Sequence, residues 1–174
     1  MNDLRLHIGG QHAKAGWKIL NVQAGPGVDF VGSCTDLSAF ADASVAEIYA
    51  SHVLEHLSYT HELPQALKEF HRVLKPGGRL RVSVPDFEKL ARIFLLPELT
   101  PQLRFHVMRM IFGGQMDAHD FHKVGLTGEF LAAMLANAGF GTLSQVESFG
   151  EFDDSSELKV GPNRVSLNVI AQRS

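Results

Sequence analysis

Short apolar segments of strand type alternate with amphipathic segments of helical type through most of this chain, and this alternation limits its fold more than any other feature. Strands that are separated along the chain by helices pair in parallel, and the helices cover both faces of the sheet. The alternation therefore predicts an α/β fold with a mostly parallel sheet. The first predicted strands are Leu4–Ile8, Trp17–Val22, Val28–Val31, Ala46–Ala50 and Arg79–Val84.

Helical segments begin after the fourth strand. In the first of them, apolar residues recur at the spacing of one helix face, and Lys75-Pro76-Gly77-Gly78 ends the segment. The last helix is preceded by Thr127, a typical N-cap residue, and followed by Gly139. Two more strands, Thr142–Phe149 and Arg164–Ala171, then follow one another without a helix, and we expect them to pair antiparallel. The predicted helices are His61–Leu74, Phe87–Leu96, Pro101–Phe112 and Gly128–Ala138.

The length and composition are those of an ordinary domain. The chain has 174 residues, which predicts a single domain over residues 1–174. Its 16 basic and 19 acidic residues give a net charge of −3 without a basic stripe, so we expect no nucleic acid as a partner. No apolar run reaches the roughly 20 residues that cross a bilayer, and the first residues do not resemble a signal peptide. We therefore expect no membrane partner and a cytoplasmic location.

The carboxyl ends of the predicted strands are where a ligand should bind. In an open α/β sheet, ligands bind beyond these ends, at the point where the strand order reverses. We therefore expect the site after strands one, two and four, near Gly9, Gln23 and Ser51. The turn Gly9-Gly10 suits a nucleotide, but Gln11–Gly16 is too short for a crossover helix whose N-terminus could hold a pyrophosphate. This removes NAD and FAD as leading candidates.

Two longer segments carry a much more specific pattern. Residues 35–57 read Thr-Asp-Leu, a short loop, a strand and then Ser-His-Val-Leu-Glu-His-Leu, and residues 69–80 contain Arg-Val-Leu-Lys-Pro-Gly-Gly. In this order the chain resembles the class I S-adenosylmethionine-dependent methyltransferases of the type 11 kind, motif by motif over Leu4–Pro85 and more loosely to the final strand pair. The resemblance implies a Rossmann-like methyltransferase fold, with a mostly parallel sheet and an antiparallel C-terminal strand pair, here expected to lack the N-terminal helices.

The resemblance also implies S-adenosylmethionine as the cofactor and assigns residues to it. Gly9 and Gly10 would lie under its methionine and ribose. Gln23, at the end of strand two, would bind the ribose hydroxyls, where the family usually has an acidic residue. Asp36 would accept a hydrogen bond from the adenine amino group, and Leu37 would lie against the adenine ring.

Two histidines are candidates for a catalytic base. The resemblance places Ser51, as a cofactor-binding residue, and His52 beside the place of methyl transfer at the end of strand four. His122 is the second candidate, because a neutral imidazole can take a proton from a hydroxyl or amine acceptor near neutral pH. The expected acceptor is a small molecule or a saccharide.

Two glutamines depart from the family pattern. Gln11 replaces the second glycine of the turn, where the backbone should approach the ligand, and Gln23 replaces the acidic residue of strand two. A glutamine keeps one hydrogen bond to a hydroxyl but loses the charge-assisted pair, a loss of roughly 1–2 kcal/mol. These departures leave a second hypothesis open, a non-catalytic binding or interaction protein of the same fold with an impaired cofactor site.

Metal binding is a third hypothesis. Residues 52–56, His-Val-Leu-Glu-His, match an inverted zinc-protease motif, but they lie inside the methyltransferase-like segment, and we expect no metal there. His119 and His122, with Asp117 and Asp120, could supply a base, bind a divalent metal or bond locally in a surface loop. The lone cysteine, Cys34, excludes an internal disulfide and a zinc site of several cysteines.

The helix Pro101–Phe112 has two apolar stripes, one with Leu103 and Val107 and the other with Phe105 and Phe112. A helix that is apolar on two faces needs cover on both. Together with the short connection between strands one and two, this predicts a homodimer.

Overall fold

A seven-stranded sheet forms the centre of the protein, and a short hairpin lies apart from it. The computed structural model describes residues 3–174. The strands of the sheet are β1 Leu4–Ile8, β2 Lys18–Asn21, β3 Phe30–Val31, β4 Val45–Ser51, β5 Leu74–Pro85, β6 Phe140–Val146 and β9 Ser166–Arg173, and the hairpin is β7 Lys159–Val160 with β8 Asn163–Arg164. Their order is β3-β2-β1-β4-β5-β9-β6. All neighbours from β3 to β5 are parallel, and β9 is antiparallel to β5 and β6.

The helices begin and end close to the residues that the sequence predicts. The side chain of Thr127 accepts a hydrogen bond from the backbone N–H of Phe130, which confirms the predicted N-cap. Gly139 follows that helix with a φ of 98°, a left-handed conformation that favours glycine. In the described residues the helices are α1 Glu62–Val73, α2 Phe87–Phe94, α3 Pro101–Phe112 and α4 Gly128–Asn137, with 3₁₀ turns at Leu54–His56 and Ser155–Glu157.

Two hydrophobic clusters hold these elements together. The larger one joins α1 and α4 to the central strands, and it contains fully buried residues such as Phe70 of α1, Leu131 of α4 and Ile48 of β4. The smaller one joins α2 and α3 to the segment around Val165. The large cluster therefore fixes the strands that position the carboxyl edge of the sheet, and the small one fixes the helices beside that edge.

The strand order reverses between β1 and β4. From β1 the chain proceeds outward to β2 and β3, and it then returns to place β4 on the other side of β1. The connections that follow β1 and β4 therefore leave in opposite directions, and a crevice remains between the carboxyl ends of these two strands. This is the place where the sequence predicts a ligand site.

An aromatic cluster covers the β1–β2 region, where residues 9–17 contain no helix. The ring of Phe152, from the segment before β7, lies 4.1 Å from His7, 4.6 Å from Tyr49 and 5.4 Å from Trp17 between centroids. The indole N–H of Trp17 donates to a carboxylate oxygen of Glu151 at 3.2 Å. A segment from the C-terminal part of the chain thus packs where a crossover helix would give cover.

Strand β5 begins earlier than the predicted Arg79. Leu74 follows α1 directly in an extended conformation and pairs with Val45, and the pairing then resumes at Arg79 opposite Glu47. The residues between bulge out of the ladder. A Cβ on Gly78 would lie 2.8 Å from the Lys75 carbonyl oxygen, so glycine is needed where the bulge returns to the sheet.

Helix α3 is covered on one side within the chain. Val107 is fully buried in the smaller cluster, whereas Leu103, Phe105 and Phe112 remain exposed. Among the described residues, no helix is both long and apolar enough to cross a membrane.

Candidate functional site

A cavity of about 500 Å³ opens at the carboxyl edge of the sheet, in the crevice where the strand order reverses. Gly9 and Gln11 line it from the end of β1, Asn21 and Gln23 from the end of β2, and His52 from the end of β4. The segment that follows α3 closes the opposite side. The position agrees with the ligand site expected from the order of the strands.

The glycine turn after β1 has no room for side chains. Gly9 has a φ of 74°, and a Cβ there would lie 2.7 Å from Cγ2 of Val53. A Cβ on Gly10 would lie 2.6 Å from Nδ1 of His7. The Gly10 carbonyl accepts a hydrogen bond from the side-chain amide of Asn21 at 3.0 Å. Gly9 borders the cavity as expected, while Gly10 is buried beneath it and supports the turn.

A carboxylate faces the end of β2 from across the cavity. The backbone N–H of Gln23 donates to Oδ1 of Asn21 at 3.0 Å, and its side-chain amide donates to Oδ2 of Asp117 at 3.4 Å. A backbone hydrogen bond from His119 lowers the pKa of Asp117. The end of β2 has Gln23 where the family usually has an acidic residue. The carboxylate of Asp117, in the segment after α3, lies beside it instead.

Asp36 and Leu37 are not among the residues that line this cavity. Asp36 is exposed, and its Oδ1 accepts a hydrogen bond from the backbone N–H of Ser38 at 3.0 Å. Leu37 is fully buried in the main core. Its backbone N–H donates to Glu69 at 2.8 Å and its carbonyl accepts from Arg72 at 2.9 Å, so α1 fixes it away from the cavity. The adenine contact that the resemblance implies for this pair stays a prediction.

Ser33 and Cys34 occupy the cavity wall in their place. The Ser33 hydroxyl forms a hydrogen bond with the hydroxyl of Thr35 at 2.7 Å. Burial raises the pKa of the Cys34 thiol to about 12, so it stays protonated near neutral pH and is no nucleophile. This agrees with the expectation that Cys34 acts as a small apolar residue.

His52 follows β4 directly, in a strained conformation. Its φ of 53° is uncommon for a residue other than glycine, and such strain is concentrated at functional sites. Its Nε2 lies 3.1 Å from the hydroxyl of Ser166, and that hydroxyl donates to the Ser155 carbonyl at 2.7 Å. Ser166 therefore accepts from Nε2–H, which leaves Nδ1 as the basic nitrogen. Nδ1 lies 3.3 Å from Oε1 of Glu55.

Ser51 lies one residue earlier and is oriented differently. It pairs with Ser83 of β5 in the parallel ladder. Its hydroxyl is buried and has no hydrogen-bond partner among the described residues. Ser51 is the neighbour of His52 in the sequence, but it is not among the residues that line the cavity.

A second, smaller cavity of about 130 Å³ adjoins the first. Apolar residues such as Met110 and Leu158 form much of its wall, and Arg109 lies at its border. His52 lines both cavities, and His122 lines the smaller one. The two predicted catalytic histidines are thus brought together from distant parts of the chain.

His119 and His122, which the sequence groups together, have different surroundings in the structure. His119 is exposed, and its backbone N–H donates to Asp117 at 2.7 Å. His122 points inward, and its ring centroid lies 4.7 Å from that of His56, nearly perpendicular to it. Burial lowers the pKa of His122, although the nearby Glu55 carboxylate opposes this effect. The inward histidine therefore belongs to a cluster with the residues that follow β4.

The lining residues that the sequence does not single out include Asn21 and Ser33. The sequence places Asp117 with His119 and His122 but does not indicate the contact of Asp117 with Gln23. Asn21 is the last residue of β2, and Ser33 comes two residues after β3, so their positions at strand ends were a usable signal. Asp117 follows α3 and reaches the cavity only through the folding of its segment, which no local pattern indicates.

Comparison with known proteins agrees with the family pattern and the fold. Residues 11–82 match the family model described as a methyltransferase domain, of type 11. No curated protein sequence matches the chain.

Three solved structures illustrate the likeness of fold. A SAM-dependent methyltransferase from Thermotoga maritima has a TM-score of 0.60 at 17% identity, over 98% of this chain and 82% of its own. A 1,6-didemethyltoxoflavin N1-methyltransferase from Burkholderia thailandensis was solved with S-adenosylhomocysteine. It has a TM-score of 0.59 at 14% identity, over 98% of this chain and 71% of its own. The CurJ carbon methyltransferase has a TM-score of 0.58 at 14% identity, over 99% of this chain but 49% of its own. The likeness confirms the predicted methyltransferase-type fold and, with the family match, the predicted family resemblance.

Proposed function

We propose that this chain, which carries a type 11 methyltransferase domain on the class I methyltransferase fold, transfers a methyl group from S-adenosylmethionine to a small-molecule or saccharide acceptor. One observation carries the proposal. His52 lines both the larger and the smaller cavity, so a single basic side chain faces the places of donor and acceptor. The larger cavity would hold the cofactor and the smaller one the reacting end of the acceptor.

The larger cavity has the properties that S-adenosylmethionine requires. Its volume of about 500 Å³ is within the usual range for ligand sites. Gly9 lets the ligand approach the backbone after β1. Gln23 and Asp117 together offer an amide and a carboxylate for the ribose diol, and the hydroxyl of Ser33 offers an acceptor for the adenine amine. This donor and acceptor set supports the cofactor and argues against an impaired site.

The cofactor supplies an electrophilic methyl group on a sulfonium, and the chain supplies position and a base. The cofactor sulfur would keep the electrons of the bond to the methyl carbon, and the acceptor oxygen or nitrogen would gain the methyl group and lose a proton. Nδ1 of His52 would accept this proton. The Glu55 carboxylate, 3.3 Å away and only 1% exposed, would stabilise the imidazolium that results. His122 stays a candidate for this role, and Ser51 a candidate contact for the cofactor.

The smaller cavity limits the acceptor. At about 130 Å³ it admits only a small group, and Met110 and Leu158 give it an apolar wall. The guanidinium of Arg109 at its border would suit hydroxyls or an anionic substituent. These features support a small molecule or a sugar unit whose reacting hydroxyl or amine enters this cavity.

Calorimetry with S-adenosylmethionine and with S-adenosylhomocysteine tests the proposal. We expect one molar equivalent of either ligand to bind, and we expect His52→Gln to retain this binding because it alters only the base. Absence of binding by the wild-type protein at millimolar ligand would refute the proposal. Transfer of a labelled methyl group to sugar, phenol and amine acceptors, in wild type against His52→Gln, then identifies the acceptor class.

The exposed face of α3 supports a homodimer as a further part of the proposal. Phe105 is 60% exposed and Phe112 is 54% exposed, which is unusual for large apolar side chains on one short helix. A second copy of the chain would cover them. The cytoplasmic location likewise stays a prediction.

A further inference from the structure

We propose that Glu55, His56 and His122 form a binding site for a divalent transition-metal ion of the zinc class. One ligand atom from each residue lies within 4.8 Å of the other two. Two imidazoles and one carboxylate are a ligand set that suits zinc, cobalt and iron(II), and a fourth position remains for water or a substrate atom. An ion here would take Glu55 and His122 out of the roles given to them above, and His52 would remain the base.

The carboxylate of Glu55 is the strongest indication of a missing cation. Its side chain is 1% exposed, and neither of its oxygens has a hydrogen-bond partner among the described residues. A buried ionised carboxylate without partners is costly, so such groups are paired or bind metals. Only Nδ1 of His52 approaches it as a potential ion-pair partner in the described part of the chain, at 3.3 Å. A divalent ion would satisfy both the charge and the empty lone pairs.

The imidazole of His56 already has the tautomer of a metal ligand. Nδ1 of His56 lies 3.2 Å from the Phe121 carbonyl oxygen, which can only accept, so this nitrogen carries the proton and Nε2 keeps its lone pair. Histidine ligands of metals commonly donate their other ring nitrogen to a backbone carbonyl in this way, which fixes the tautomer and the ring orientation. The ring of His122 lies 4.7 Å from that of His56 between centroids, nearly perpendicular to it.

The backbone holds the ligands in place without a metal. Glu55 and His56 belong to the 3₁₀ turn that follows β4 directly. The Glu55 carbonyl accepts a hydrogen bond from the backbone N–H of Lys123 at 2.7 Å. The N–H of His122 in turn donates to the Phe112 carbonyl at the end of α3 at 3.1 Å. The segment that carries His122 is thus tied to the turn that carries the other two ligands.

The location gives the ion a connection to the site. His56 lines the larger cavity and His122 lines the smaller one, so the cluster lies where the two meet. With His122 as a ligand, His52 remains as the base. An ion here would hold the segment after α3, which carries Asp117, against the end of β4.

The test measures metal binding directly, without a methyl donor. The full chain is treated with a chelator and titrated in separate experiments with Zn²⁺ and with Co²⁺, whose visible absorption reports its ligands. We expect one ion per chain and a higher midpoint of thermal unfolding with the ion. Glu55→Gln, His56→Gln and His122→Gln should each weaken binding at least about tenfold. His119→Gln, three residues from His122 on the exposed loop, is the matched control and should bind as the wild type does.

The variants also separate loss of the site from loss of the fold. Without metal, Glu55→Gln should unfold at the same temperature as the wild type or higher, because it removes an unpaired buried charge. No stoichiometric binding of either ion by the wild-type protein would overturn the inference. Loss of binding in His119→Gln but not in His122→Gln would also overturn it. Calorimetry with S-adenosylhomocysteine is independent of both results, so failure of this inference and failure of the proposed function are distinguishable.

Discussion

Protonation of His7 should destabilise the protein as the pH falls from 7 to 5. His7 lies on β1 beneath the glycine turn, is 7% exposed, and has no hydrogen-bond partner for Nδ1 among the described residues. Burial is the largest of the effects that together lower its pKa from 6.5 to about 4; the charge of Asp154 opposes this shift, and the ammonium of Lys14 adds to it. The unfolded chain therefore binds a proton at a higher pH than the folded protein does.

The sign and the size of the effect follow from proton linkage. Because the folded-state pKa is the lower one, the stabilisation is complete above pH 6.5 and is lost as the pH falls from 6.5 towards 4. Between pH 7 and pH 5, these two pKa values correspond to a loss of about 2 kcal/mol in the free energy of unfolding. The variant His7→Phe keeps a ring against Tyr49 and Phe152 but does not titrate, so it should lack this loss.

Urea unfolding at pH 7 and pH 5, followed by the fluorescence of the single tryptophan Trp17, measures the difference. The fall in unfolding free energy should be about 2 kcal/mol smaller in His7→Phe than in the wild type. His106→Gln, at an exposed position of α3, is the matched control and should keep the wild-type dependence. A His7→Phe variant that loses as much stability as the wild type would refute the reasoning.

Three further predictions follow from the site and its surroundings. Gly9→Ala should destabilise the fold by roughly 1–2 kcal/mol because of the left-handed backbone, and by a further amount because the new Cβ clashes with Val53. Val53→Ala should remove the clash, so the double variant should lose less unfolding free energy than the sum of the two single variants. In calorimetry, Asp117→Asn should weaken S-adenosylhomocysteine binding on the order of tenfold, because a charge-assisted hydrogen bond is lost. Asp36→Asn should leave this binding unchanged. The reverse result would support the contact of Asp36 with adenine that the family resemblance implies. Phe105→Lys should yield a monomer by light scattering where the wild type gives a dimer, and a monomeric wild type would contradict the homodimer.

The sequence predicts the elements of this fold well because their signals are local. The bounds of α3 and the caps of α4 follow from periodicity and from single residues such as Thr127 and Gly139. The start of β5 is different, because the pairing of Leu74 with Val45 depends on a neighbouring strand and not on the Pro-Gly-Gly segment itself.

The same distinction separates the parts of the site. Gly9 and His52 are found from the sequence because each follows directly from the end of a strand. The burial of Leu37 does not follow from the resemblance, because it depends on Arg72, far along the chain on α1, which donates to its carbonyl. The contact of Asp117 with Gln23 is not predicted, because it depends on where the segment after α3 folds.

The packing of Phe152 against His7 and Trp17 has a consequence for how the chain acquires its structure. The cover of the first two strands is made late in the sequence, so their burial requires closure of a loop of nearly the whole chain. During synthesis, the N-terminal half should therefore remain incompletely folded until the final segments leave the ribosome. Folding should be slow for a protein of this size, since contacts of high sequence separation must form before the core is complete. Truncation before Phe152 should accordingly expose the β1–β2 region to proteolysis, although every residue of those strands is still present.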